Sequence, residues 1–314
     1  MDNRISTASQ YSSILTNLMQ AQLAQTTAGN QLASTETATD LQGYGTGAET
    51  LTALQATTTQ VTGYLNNTQN VSGKLSTQDD ALNEVAGGAG SALQAVTQAV
   101  ASGSGTSLMS SLQDALSNAV EGLNTSYNGE YMFAGGQVNT QPVSATSLSD
   151  LTANPIPSLF HNDQRVTSTQ LDQNTSVSTG FLASNVGTPL FQALAAIEAY
   201  NQGPNGPISG NLTTAQATFL TSQISGLDTV ESNLNNVAAQ NGQAQNVVTN
   251  AQNDLTQRQT MLQNLVGNIT SADLAQATTN LQQAQLSIQA AGQVFQALNS
   301  SSLLNSLSVT PAVA

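Results

Sequence analysis

The chain has 314 residues, 39% apolar, 4% aromatic and 7% charged, with a net charge of −14 and neither cysteine nor tryptophan. Its four basic residues are too few to displace counterions from a nucleic acid, which excludes that partner, and they disfavour an anionic membrane surface for the same reason. Without cysteine there is no disulfide framework, no thiolate chemistry and no cysteine zinc cluster.

The N-terminus opens with Met1 to Ile5 and then Ser-Thr-Ala-Ser-Gln, which lacks the apolar core of a signal peptide. No stretch reaches the roughly 18 consecutive apolar residues of a membrane span. The expectation is a protein without membrane insertion, either cytoplasmic or exported without a cleaved signal. Tyr11, Ile14, Leu15, Leu18 and Leu23 recur at helical spacings and predict a first helix. It ends before Leu41-Gln42-Gly43-Tyr44-Gly45-Thr46-Gly47, whose alternate glycines make a loop.

A second helix carries a 3-4 spaced seam from Leu51 through Val61, Leu65, Leu75, Asp79, Leu82, Ala89 and Val96 to Val100. Gly87-Gly88 predicts a bend within it, and Ser102-Gly103-Ser104-Gly105 a stop. A third helix reads from Met109 through Leu112, Leu116 and Ala119 to Leu123. Asn128-Gly129 is a hairpin turn signal. The residues after it, Glu130 to Ala134, predict a short strand.

Residues 137–186 lose the helical period and gain Pro142, Pro155 and Pro157. They predict a small β-rich insert with strands near Gln164–Thr169 and Ser176–Phe181. Helical spacing resumes at Leu190, Leu194 and Ile197 and breaks at Gly203-Pro204-Asn205-Gly206-Pro207. The longest seam follows, from Leu227 through Leu234, Asn241, Val248, Leu255, Arg258, Leu262 and Leu265 to Ile269. Ser271 predicts the N-cap of a last helix, with Asp273 in its first turn. That helix carries Leu274, Ala277, Leu281, Ala284, Ile288, Ala291, Phe295 and Leu298, and a polar tail from Ser300 to Ala314 reads as frayed.

Long helices at both chain ends flank a non-helical middle. Matching seams at the two ends pair most simply as one antiparallel coiled coil with the insert at its tip. The expected fold is mainly α, an elongated rod in three parts. Residues 1–42 with 270–314 form a terminal helical domain, 43–136 with 187–269 a helical bundle, and 137–186 the β-rich tip. The terminal helices have narrow stripes and no third helix in sequence to cover them. Ile14, Leu15, Leu18, Leu23, Leu274, Leu281, Ile288, Phe295 and Leu298 are therefore the expected assembly interface with other copies. A typical chain is about a quarter charged; here neutral Gln, Asn, Ser and Thr supply the polar surface. They make contacts without the desolvation cost of charges, which suits packing between identical chains.

Catalysis finds no support. His161 stands alone in the insert, and Asp79 and Asp80 point about 100° apart on a helix and cannot converge on one ion. No nucleophile elbow, phosphate loop or dinucleotide fingerprint is present. The expectation is no enzyme, no cofactor and no metal.

Five segments are similar to the flagellin family. Met1-Asp2-Asn3-Arg4-Ile5-Ser6-Thr7 resembles its opening, and Asn128-Gly129-Glu130-Tyr131-Met132-Phe133-Ala134-Gly135-Gly136 resembles a signature of its hook–filament junction members. Ala272-Asp273-Leu274-Ala275-Gln276-Ala277 resembles the start of its C-terminal helix. Phe295-Gln296-Ala297-Leu298 and Ser302-Leu303-Leu304 resemble its ending. The likeness makes Asn128, Gly129, Tyr131, Phe133 and Gly135 family signature residues. It implies an extracellular subunit of the bacterial flagellum, exported unfolded through the type III channel. Such a subunit joins hook to filament through its terminal helices, or alternatively forms the filament itself. The implied partners are further copies, hook-side and filament-side subunits, and an export chaperone at the C-terminal helix. The segment Ala89–Val100 lacks the basic residues by which an innate immune receptor recognises many flagellins.

Overall fold

The 3-4 seams are helices, and most of their members face inward. The computed structural model describes residues 2–301, with side chains over 9–297. The tail 302–314 and the side chain of Leu298 lie outside the described residues. The helices are α1 (Asp2–Ser34), α2 (Ala48–Ser102), α3 (Leu108–Leu123), α4 (Leu148–Ala153), α5 (Ala183–Gln202), α6 (Thr214–Thr270) and α7 (Leu274–Ser301). Two antiparallel hairpins accompany them, β1 (Ser126–Tyr127) with β2 (Glu130–Tyr131), and β3 (Ser168–Gln170) with β4 (Ser176–Ser178). The fold is thus mainly α with a small β insert.

Two compact units divide the chain, residues 1–60 with 258–314, and residues 61–257. The second unit holds the large core. Leu82, Val85 and Val96 of α2 meet Leu112, Leu116 and Leu123 of α3, Leu190 and Leu194 of α5, and Leu227 and Leu234 of α6. The segment 137–186 feeds the same core with Val143, Leu148, Leu151 and Phe160, and Phe160 stacks on Phe191 with ring centroids 5.2 Å apart. Its hairpin β3–β4 lays Leu171 and Val177 against Val71 and Leu75 of α2 and Val248 and Ala251 of α6. Pro142, Pro155 and Pro157 remove backbone donors from this segment. Its strands are accordingly only the three residues of β3 and of β4.

Helix ends follow their local chemistry. The first helix stops at Ser34, and Asp40 caps the 3-10 turn Leu41–Gly47 by accepting from the Gly43 N–H at 2.9 Å. Thr213 and Gln216 form a reciprocal box at the start of α6. The Thr213 N–H donates to Gln216 Oε1 at 3.0 Å and the Gln216 N–H to Thr213 Oγ1 at 3.3 Å. The cap of α7 is Asp273 and not Ser271: its carboxylate accepts from the Ala275 and Gln276 N–H groups, both at 3.0 Å. Ser271 instead makes an antiparallel bridge with Glu36. The fifth helix begins at Ala183, seven residues before Leu190, because the run Leu182, Ala183 and Val186 is already buried in the core.

The predicted bend at Gly87-Gly88 is absent, and α2 runs unbroken from Ala48 to Ser102. A close approach explains the glycine. A Cβ on Gly88 would stand 2.8 Å from the Ala115 carbonyl of α3, and one on Gly122 of α3 would stand 2.7 Å from the Ala81 carbonyl of α2. The two backbones touch through glycine from both sides. Gly122→Ala lowers stability by about 1–3 kcal/mol through overpacking, and thermal denaturation of the variant against the parent reads the loss.

Candidate functional site

Among the described residues no group of three or more His, Asp or Glu side chains is placed to hold a metal ion. No described helix is long and apolar enough to cross a membrane. The surfaces with functional potential are the pair α1–α7 and the signature hairpin.

The pair is antiparallel. Glu36 bridges Ser271 at one end, and the rings of Tyr11 and Phe295 meet edge to face toward the other, with centroids 5.7 Å apart. Backbone bonds close the first end, from Thr37 N–H to the Thr270 carbonyl at 2.7 Å and from Ala272 N–H to the Thr35 carbonyl at 3.0 Å. Between these ends the buried contacts are alanines: Ala21 and Ala28 of α1, Ala277 and Ala284 of α7. Ile14, Leu18, Ala21, Gln25, Ala28 and Leu32 continue one 4-3 seam, and every member is buried or half-buried. Ala277, Leu281, Ala284, Ile288 and Ala291 do the same on α7. Alanine at the seam brings two helices close and leaves longer side chains on the flanks.

Of the residues singled out from sequence, Ile14, Leu18, Leu281 and Ile288 therefore lie in the intramolecular seam. Leu15, Leu23, Leu274 and Phe295 do not; they are 49%, 69%, 45% and 45% exposed. Leu15 and Leu23 align with the exposed Met19 at spacings of four, an apolar stripe left uncovered among the described residues. Leu286 and Val294 form its counterpart on α7. A groove of about 1100 Å³ runs between the two helices, lined by Ile14, Leu23, Ala24, Ala290 and Val294 among others. Sequence reading placed Ala277, Ala284 and Ala291 in the stripe of the last helix but missed Ala21, Ala28 and Met19 on the first. The signal that could have found them was the 4-3 spacing carried through small residues.

No charged side chain occurs in 5–35 or in 274–314. The seam and both flanks of the pair thus consist of apolar, amide and hydroxyl groups alone over the described residues.

The signature has a different logic. Tyr127 pairs with Glu130 across Asn128 (φ 52°) and Gly129 (φ 83°), a two-residue turn with both central residues left-handed. The predicted strand over 130–134 stops at Tyr131. Met132, Phe133 and Ala134 are all buried, and the Phe133 carbonyl accepts from the Ala183 N–H of α5 at 2.9 Å. Gly135 turns the chain at φ 69°, where a Cβ would collide with the Asp163 carboxylate. That carboxylate accepts from the N–H groups of Gly136 at 2.8 Å and Arg165 at 2.9 Å. These two bonds, with the Arg165 charge, hold the Asp163 carboxyl below its ordinary range. The signature is a clamp that ties the exit of α3 to the loop at Asp163 and to the start of α5.

A carboxyl lowered on folding contributes stability above its ordinary value, and that contribution disappears as pH falls through the lowered one. The protection of the Gly136 and Arg165 amides relative to their intrinsic exchange rate is therefore expected to fall below about pH 4, and in Asp163→Ala to be low at every pH. Equal protection in parent and variant at neutral pH would remove the clamp's carboxylate from the account.

The sequence matches the family models for the bacterial flagellin N-terminal helical region over residues 5–138 and the bacterial flagellin C-terminal helical region over residues 224–307. No curated protein matches in sequence. Among solved structures, the chain is similar to a flagellar hook-associated protein from Vibrio parahaemolyticus, at 13% identity and a TM-score of 0.57. The match covers 71% of this chain and 97% of that one. It is also similar to Bacillus cereus FlgL, at 14% identity and a TM-score of 0.52, covering 69% and 98% of the two chains. At these identities the two structures share its fold.

Proposed function

The chain belongs to the bacterial flagellin family, and from that premise we propose that it joins the flagellar hook to the filament by polymerising through α1 and α7. The observation that carries the reading is the charge-free helix pair with uncovered apolar stripes at Leu15, Met19 and Leu23 and at Leu286 and Val294. Monomers rarely leave such stripes without a partner. Further copies and the neighbouring hook-side and filament-side subunits are the partners of matching chemistry. The outward set Leu15, Leu23 and Leu274, with the exposed side of Phe295, makes the contacts between subunits, while Ile14, Leu18, Leu281 and Ile288, and the Phe295 ring on Tyr11, hold the pair together. The signature residues Asn128, Gly129, Tyr131, Phe133 and Gly135 shape the subunit and do not touch its neighbours.

In this reading the protein is structural and performs no catalysis. It acts outside the cell, reaches that place by type III export, and is held by an export chaperone at α7 before assembly. The junction role is preferred because a similar structure, matched over 97% of its length, is described as a flagellar hook-associated protein. A filament-forming flagellin is the second reading, favoured by the match of both family models, which describe flagellin ends.

Electron microscopy and sedimentation of the purified chain, with and without flagellin seeds, separate the two. The expected result is a soluble monomer with protease-sensitive ends that adds only at hook or filament termini. Long filaments from the pure chain would establish the second reading in its place.

A further inference from the structure

The seam between α2 and α6 is apolar on both sides of one polar layer. Toward one end Val71, Leu75, Val248 and Ala251 form a small cluster with Leu171 and Val177. Toward the other, the large core begins at Ala81 and Leu82 of α2 and Leu234 of α6. Between them stand Gln78 and Asn241, both 0% exposed. Gln78 shares a face of α2 with Leu75 and Leu82, three and four residues away and fully buried.

The layer is half satisfied by protein. Asn241 Nδ2 donates to the Leu75 carbonyl at 2.9 Å and to Asp79 Oδ1 at 3.3 Å. Gln245 Nε2 donates to the same Leu75 carbonyl at 3.2 Å. Three atoms are left over: among the described residues, Asn241 Oδ1, Gln78 Oε1 and Gln78 Nε2 have no hydrogen-bond partner. Buried polar groups are nearly always paired, with protein or with ordered water. The leftover set is one amide donor and two carbonyl-type acceptors. A cation would be repelled by the amide N–H, and an anion by the two oxygens and the nearby Asp79. Water both donates and accepts, and fits this set.

We propose that Gln78 and Asn241 form a buried water-binding site in the α2–α6 seam. Water there accepts from Gln78 Nε2 and donates to Asn241 Oδ1 and Gln78 Oε1, completing the layer. Together with the Asn241 bond to the Leu75 carbonyl, it sets which turn of α6 faces Leu75, as a single buried polar residue fixes register in coiled coils. Any one-turn slide of α6 would bury these amides against apolar neighbours.

The test is water-to-amide cross-relaxation in full-length protein labelled with nitrogen-15 at glutamine and asparagine side chains. The Gln78 side-chain protons are expected to show a cross-peak with the sign of a long-resident water, and Asn241→Leu to abolish it. Absence of that peak in the parent, or its persistence unchanged in Asn241→Leu, would overturn the site. Should Asn241→Leu fail to fold, the volume-matched Gln78→Met serves instead. The water peak at the Asn241 amide must then weaken, because the shared water loses its two bonds to Gln78; an unchanged peak would overturn the proposal.

Discussion

Removing residues 285–314 abolishes assembly and leaves the unit 61–257 folded. The deletion takes Ile288 and Ala291 from the seam, Leu286 and Val294 from the outer stripe, and the ring of Phe295 from Tyr11. Tyr11, Ile14 and Leu18 then face water. An unpaired helix of modest apolar content is marginal in water, so the first half of α1 melts with its partner. The core of Leu82, Leu116, Leu190 and Leu234 shares no residue with the deleted segment. Seeded sedimentation is expected to show no pelleted variant at concentrations where the parent adds to seeds. The cooperative thermal transition of the middle unit is expected at the parent's temperature. A truncated chain that still adds to seeds would place the subunit contact elsewhere.

Phe133→Ala costs about 3–5 kcal/mol, the usual loss for emptying a phenylalanine site in a packed core. Phe133 is fully buried, and its backbone holds the first residue of α5, so the cavity opens where three segments meet. Tyr131, only half-buried at the end of β2, loses much less on replacement by alanine. Chemical denaturation of the two variants reads the difference, and seeded addition at a temperature where both are folded reads function. The expected result is a large stability loss for Phe133→Ala with normal addition to seeds by both. A Tyr131→Ala variant that is stable yet fails to add would move the signature from the subunit's interior to its contacts.

The helices of this chain were legible because their signal is periodic and local. A 3-4 seam needs only neighbours within two turns; α2 and α6 carried it over many heptads and the 16-residue α3 over about two. Every seam position assigned to α2 from Leu51 to Val100 is buried or half-buried, Asp79 included. The seam on α6 held less well, since Arg258 and Leu265 are exposed. Beyond Leu255 only one of its faces is covered, and periodicity cannot tell which apolar residues a partner will reach. The hairpin at Asn128-Gly129 was equally legible, because both residues tolerate the left-handed backbone that a two-residue turn demands. The bend at Gly87-Gly88 was misread. Propensity counts the cost of glycine in an isolated helix, and only the approach of α3 reveals what that cost offsets.

Composition and spacing by themselves determined that the chain is helical toward both ends, poor in charge, without thiols, and built to pair its termini. Those properties follow from side-chain identity and from the 3.6-residue turn. The tertiary structure alone decided which apolar residues pair inside the molecule and which are left for others. Ile14 and Leu15 are adjacent and equally apolar, yet the alanine seam turns the first inward and the second outward. The same holds for Asp163, whose carboxylate reaches the Gly136 N–H across 27 residues, and for Asn241, which meets Leu75 across 166 residues. Contacts of that range depend on how elements pack, and packing is a property of surfaces that meet only after the helices have formed.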